Sequence, residues 1–205
     1  MCNLAVQLHQ ATGDTLAGAA ASAGRRQLSE EHVTYKLLDL IDGFAADGAP
    51  IWIRDYGRSD ESANGADLEL WFWERGGGLA VGWLVQAKRL SPPETAASAP
   101  KFKSIRHKVG GKLQSDLLIE AAAKVNGLMP LYWLYSWDLP ARTRCSGDPS
   151  CKCTPSTFDE ALIVAHAETV KASTGSSWHS VVQNNITSVE SLRRLWCNGA
   201  LRIWV

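Results

Sequence analysis

The chain has 205 residues, 45% hydrophobic and 20% charged, with 21 Lys and Arg balancing 21 Asp and Glu. This is globular composition, which excludes a disordered polar chain, and no apolar run approaches the roughly 20 residues that a membrane-spanning helix needs. Zero net charge decides nothing about nucleic acid, because the distribution of charge over the surface matters there.

The N-terminus lacks a basic segment followed by a continuous apolar stretch. The expectation is a soluble, cytoplasmic protein whose five cysteines stay reduced. Residues 1–27 are rich in Ala, Gly, Ser and Thr with no sustained apolar period, and read as a mobile arm or a weakly attached helix. From Ser29 the pattern changes: Val33, Leu37, Leu40, Ile41 and Phe44 share one helical face, Ser29 is an N-cap, and Glu30 and Glu31 occupy the first turn. This predicts a helix ending near Gly43.

Ile51 to Arg54 reads as a short extended piece, Ser59 to Gly65 as a polar loop, and Ala66 to Trp73 as a strand. The run Arg75-Gly76-Gly77-Gly78 makes a turn into a second strand, Leu79 to Arg89, and the pair predicts a hairpin. Pro92 to Pro100 is a loop, Gln114 to Val125 an apolar-periodic helix, and Leu131 to Trp137 an aromatic-rich strand. Helix, strand, strand, strand, helix, strand is the order of a mixed α/β core over 28–140. After Pro140 a Cys, Gly, Pro and Ser segment leads to two expected helices, Phe158 to Lys171 and Ser188 to Cys197, within a C-terminal extension (141–205) packed on the core.

Side chains alternate along a strand, so Asp67 and Glu69 share one face of theirs and Gln86 and Lys88 one face of the next. On neighbouring strands these four groups converge. Hard oxygen ligands hold Mg²⁺, and an ammonium orients a nucleophile or stabilises developing charge, which is the equipment of phosphodiester hydrolysis. Lys88 ends the apolar run Leu79 to Val85, a costly place for a lysine without a task. By itself, though, Gln-Ala-Lys equally describes a lysine leaving a sheet edge into water.

Gly65-Ala66-Asp67-Leu68 followed by Val85-Gln86-Ala87-Lys88-Arg89 resembles the GxD…QxK form of the PD-(D/E)xK restriction-endonuclease-like nucleases, as in Mrr-type enzymes and archaeal Holliday-junction resolvases. Those families place a Glu in the first helix, and Glu30 precedes Val33, Leu37 and Gly43-Phe44 here. At about 100° per residue Glu30 falls on the apolar stripe and Glu31 opposite it. The resemblance, over roughly residues 30–137, implies that Asp67 and Gln86 bind Mg²⁺ or Mn²⁺ with the Ala87 carbonyl, that Lys88 activates water, and that Glu30 supports the site. Glu69 is a further metal-ligand candidate, and Gln in place of the commoner Glu at 86 lowers the local negative charge. The same segments, with Gln114-Ser115-Asp116-Leu117-Leu118 and Pro130-Leu131-Tyr132, also resemble an uncharacterised bacterial family. A role in defence against foreign DNA would suit such a protein by association only.

Arg89, Lys101, Lys103, Arg106, Lys108 and Lys112 form a basic cluster suited to salt-sensitive phosphate contacts, the other reading being a solvated loop. Gln114 resembles the helical Gln near the metal in some of these nucleases. Cys145, Cys151 and Cys153, with His166 or Cys197, are candidates for a structural Zn²⁺, although their spacing is not that of a common zinc knuckle. Most of the nine tryptophans read as core. No histidine has a partner at dyad spacing. The expected function is metal-dependent hydrolysis of DNA, by a homodimer or with a partner protein supplying specificity. The alternative is a noncatalytic nucleic-acid-binding module on the same fold.

Overall fold

The computed structural model describes residues 7–8, 10–16, 29–73, 80–91, 100–136, 161–181 and 189–191. It is an α/β arrangement in which helices cover both faces of a mixed sheet.

Helix α1 spans residues 10–16, and Leu8, Thr12 and Leu16 are buried with it. Of the two expectations for this segment, the helix is the one found at these residues, and the mobile arm is corrected there. Positions 8, 11, 12, 15 and 16 do follow a helical stripe, but Ala and Thr fill three of the five, so the apolar signal is diluted. Helix α2 (Glu30–Ala46) begins as expected, with the Ser29 hydroxyl accepting the His32 N–H at 3.2 Å, and it buries Val33, Leu37, Leu38 and Ile41.

Strands β1 (Ile51–Asp55), β2 (Leu68–Trp73) and β3 (Ala80–Ser91) form an antiparallel meander. Helix α3 (Arg58–Asn64) lies between β1 and β2, where a polar loop was expected. Its acidic first turn and the glycine that ends it, Gly65, are helix signals in a stretch too short and polar for periodicity to reveal. Beyond β3 come the short β4 (Lys101–Phe102) and the hairpin β5 (Lys108–Val109) and β6 (Lys112–Leu113), turned by Gly110 and Gly111, both at positive φ. Helix α4 (Gln114–Ala122) then crosses over to β7 (Leu128–Tyr135), which pairs parallel to β3.

The C-terminal part joins the same sheet. Strand β8 (Leu162–His166) pairs antiparallel with β7, helix α5 (Ala167–Ala172) follows, then α6 (Trp178–Val181), and β9 (Val189–Ser191) pairs with β8. This corrects the expected helical extension, since strands stand inside both predicted helices. Leu162, Ile163, Val164 and Ala165 are buried on both faces of the sheet, and a run apolar all round has no period to separate a buried strand from a helix.

The sheet order is β1-β2-β3-β7-β8-β9, with β4 attached to β3. On one face Leu68, Leu70, Phe72, Trp83, Val85 and Trp133 pack with α1 and α2; on the other, Leu84, Tyr132, Leu134 and Ile163 pack with α4 and α5. Alternation along β3 thus puts Gln86 and Lys88 on the α4 face, a step from the core's centre. Among the described residues no helix is long and apolar enough to cross a membrane.

Candidate active site

The site arises where β3 outruns β2. Strand β2 starts at Leu68, opposite Val85, and the last backbone bond between these segments is Asp67 N–H to Val85 C=O at 2.8 Å. The next N–H groups of β3 on that side, those of Ala87 and Arg89, have no strand to bond. Carboxylates take the place of one: Asp67 Oδ2 accepts the Ala87 N–H at 2.6 Å, and Glu30 Oε2 accepts the Arg89 N–H at 2.9 Å. An open sheet edge is thereby satisfied by two acidic side chains from different elements.

Gly65 explains how Asp67 reaches this position. It ends α3 in the left-handed conformation, at φ +73°, where glycine carries no penalty. A Cβ there would lie 2.5 Å from the Gln114 carbonyl and 3.1 Å from Leu117, so only glycine lets the first turn of α4 pack this closely. The Asn64 side chain accepts the Ala66 N–H at 2.8 Å and fixes the bend into Asp67.

Asp67, Gln86 and Ala87 meet at one point. Gln86 Nε2 lies 2.5 Å from Asp67 Oδ2 and 3.2 Å from the Ala87 carbonyl oxygen, while Gln86 Oε1 is buried with no hydrogen-bond partner. Lys88 is the neighbouring cation, only 4% exposed, with Nζ 3.2 Å from Glu30 Oε1. Burial pushes the Asp67 carboxyl up to about 7; Lys88 and the Ala87 amide work against that shift, and the charges of Glu30 and Glu61 add to it. Burial likewise raises Glu30 above the usual carboxylate range, against the pull of Lys88.

Both carboxylates line a cleft of about 410 Å³ together with Glu31, Asp55, Tyr56 and Glu61. One lysine does not balance this acidity, and a divalent cation would offset a further part of it. The donor set fits one: a carboxylate oxygen, a backbone carbonyl and an amide whose orphaned oxygen reaches the same point when the amide is turned over, an assignment heavy-atom positions alone do not fix. Among the described residues no three His, Cys, Asp or Glu side chains form a ready-made cage, but a set built on an amide and a carbonyl lies outside such a grouping.

Not every expected residue arrives. Glu69 is on the Asp67 face of β2, and its oxygens accept hydrogen bonds from the Tyr56 hydroxyl and from Trp71 Nε1, which engages it at the β1–β2 edge. Gln114, expected near the metal and among the nucleic-acid-binding residues, is 2% exposed and donates to Glu61 Oε1 at 2.9 Å, beside the cleft. Of the basic residues, Arg106 donates to the Ser173 carbonyl at 2.5 Å and Lys112 pairs with Glu120 at 2.9 Å. Lys101, Lys103 and Lys108 are exposed. Arg89 and Lys103 line a second cavity of about 330 Å³ that also touches Glu30, so these two border the site. Cys145, Cys151, Cys153 and Cys197 lie outside the described residues.

Three side chains of the site were not expected from sequence. Glu61 sits in the helix read as a loop, Tyr56 holds Glu69, and Tyr132 is in parallel register with Gln86. An Asp-Glu pair followed by Gly65 was the available signal for Glu61. Nothing local marks the two tyrosines, which are placed by strand pairing.

The chain belongs to a family of unknown function (DUF6615), which it matches over residues 1–201. No curated protein matches it.

Proposed function

We propose that this member of the family is a divalent-metal-dependent nuclease on a restriction-endonuclease-like fold, hydrolysing phosphodiester bonds of DNA. The observation that carries the reading is the meeting of Asp67 Oδ2, the Gln86 amide and the Ala87 carbonyl next to a buried lysine. The acidic cleft supports the enzyme over the noncatalytic binding module. Five carboxylates repel phosphate unless cations intervene, and a binding surface has no use for them.

Asp67, Gln86 and the Ala87 carbonyl would hold the ion. When bound, Mg²⁺ or Mn²⁺ supplies a Lewis acid that neutralises charge on the phosphate and acidifies a water. Lys88 stands beside these donors with its ammonium fixed by Glu30, suited to orient the attacking water and to offset charge gathering on the phosphate oxygens. Glu30 is a positioning residue: it sets the Lys88 ammonium and caps the Arg89 amide. Arg89 and Lys103, bordering the site, supply phosphate contacts without reading sequence.

The test is cleavage of supercoiled plasmid with Mg²⁺, Mn²⁺ or EDTA by the wild-type chain, Asp67→Asn and Lys88→Ala. The expected result is cutting that needs the metal and is lost in both variants. DNA binding without cutting under either ion, unaltered in the variants, would replace the enzyme by the binding module.

A further inference from the structure

The α4 face of the sheet ends in aromatic rings. Alternation puts Trp52 and Arg54 of β1 and Trp71 and Trp73 of β2 on the face that carries Asp67 and Gln86, and Trp52 stands directly across from Trp71. Helix α4 packs on β3 and β7 of this face. Beyond it Trp52 is 44% exposed, Trp73 36% exposed and Trp71 half-buried, whereas Trp83 and Trp133 are core. The rings are held in place. A Cβ at Gly82 would lie 2.8 Å from the Trp71 ring and one at Gly127 3.9 Å from it, so the indole lies across β3 where glycine leaves it room. Trp71 Nε1 and the Tyr56 hydroxyl both donate to the Glu69 carboxylate, and the Arg54 guanidinium sits 4.7 Å from the centre of the Tyr56 ring.

This row is continuous with the cleft. Tyr56 lines the cleft beside Asp67, together with the exposed Tyr35, and Trp71 stands four residues along the same strand segment from Asp67, about 14 Å away. A ring laid on a sheet with its polar atom already bonded offers stacking and no directional contact, which suits bases of any sequence. Bases inside a duplex are closed to such rings, because each already stacks on its neighbours. Arg54, shared with Asp60 at 3.8 Å, brings a cation to the same face. We propose that Trp52, Trp71 and Trp73 are a stacking platform for unpaired bases, so that the chain takes a single DNA strand, or a duplex with a single-stranded stretch, and leads it into the cleft. The inference rests on the nuclease reading of the cleft and names the substrate class.

Fluorescence anisotropy of a labelled oligothymidylate and of a blunt duplex of the same length, titrated with the chain in Ca²⁺, tests this without reference to cutting. The wild type is expected to bind the single strand more tightly than the duplex. Trp52→Ala and Trp73→Ala are each expected to weaken the single strand by about tenfold, the worth of one stacked base, and the duplex by less than about threefold. Trp52→Phe keeps a ring and should retain most of the affinity. Both tryptophans are exposed, and a thermal melt establishes that each variant is folded. Unchanged single-strand affinity in the folded alanine variants, an equal loss on duplex, or no binding of the single strand by the wild type would overturn the inference. A dimer that dissociates in Trp52→Ala, with single-strand affinity unchanged, would assign the face to a second copy of the chain instead. Tryptophan-dependent binding with plasmid left intact would keep the platform and remove the nuclease; metal-dependent cutting with single-strand affinity unchanged in the variants would do the reverse.

Discussion

Glu30 and Lys88 are 58 positions apart and form a single unit: Glu30 Oε1 lies 3.2 Å from the Lys88 ammonium, and the other oxygen of the same carboxylate accepts the N–H of the residue after Lys88. The first residue of α2 thus fixes both the side chain and the backbone at the end of β3. Removing either partner has unequal consequences, because Lys88 is almost wholly buried and Glu30 only partly.

Glu30→Ala leaves a buried ammonium unpaired and an edge amide uncapped, and is expected to destabilise the fold by about 3 kcal/mol. Lys88→Met replaces the ammonium by a chain of similar volume, and Glu30, already raised above the usual carboxylate range, takes up a proton. That variant should cost less than about 1.5 kcal/mol while losing cleavage. Urea denaturation beside the plasmid assay separates the two; a larger loss of stability in Lys88→Met than in Glu30→Ala would refute this account of the pair.

The Asp67 carboxyl, raised from 3.8 to about 7, makes stability depend on pH. The folded chain keeps a proton that the unfolded chain releases, so the contribution is fully present below pH 3.8 and is lost as pH rises through about 7. In EDTA, Tm of the wild type should fall between pH 5 and pH 8 relative to Asp67→Asn. Mg²⁺ competes with that proton, so its stabilising effect should grow over the same interval. Parallel curves for wild type and Asp67→Asn in EDTA would contradict the assignment.

Gly65→Ala is expected to cost at least about 2 kcal/mol, from the left-handed backbone and from contact with the Gln114 carbonyl. Because the same contact seats α4 against the bend before Asp67, cleavage should fall even at temperatures where the variant is folded. Calorimetry with the plasmid assay below Tm checks both parts, and full activity in a folded Gly65→Ala chain would separate the glycine from the site.

Glu69→Gln is expected to keep metal-dependent cleavage within about threefold of wild type, since the carboxylate is engaged by Tyr56 and Trp71. Asp67→Asn in the same assay should lose it. Equal losses in the two variants would return Glu69 to the metal site.

Arg89→Ala and Lys103→Ala should each lower the slope of log binding constant against log salt by about 0.9, the contribution of one phosphate contact. Arg106→Ala should leave that slope unchanged and lower Tm, because its guanidinium is spent on the Ser173 carbonyl. A filter-binding series across salt concentrations distinguishes them.

Local sequence by itself determined the α2 cap, the antiparallel pairing of β2 with β3 and the helix at Gln114, because each is encoded by neighbours in the chain, through a capping serine or a period of 3.6 or 2, while the glycine turn expected at Arg75 to Gly78 lies outside the described residues. It also placed Asp67, Gln86 and Lys88 by alternation and a motif. Tertiary structure decided what local patterns do not encode. It turned Glu69 toward Tyr56 and Trp71, put Gln114 over Glu61, spent Arg106 on a backbone carbonyl, and drew the apolar run at Leu162 into the sheet. Each of these depends on which partner lies across a strand or a packed helix, and the choice between equally plausible partners is made by long-range pairing and burial rather than by nearest neighbours.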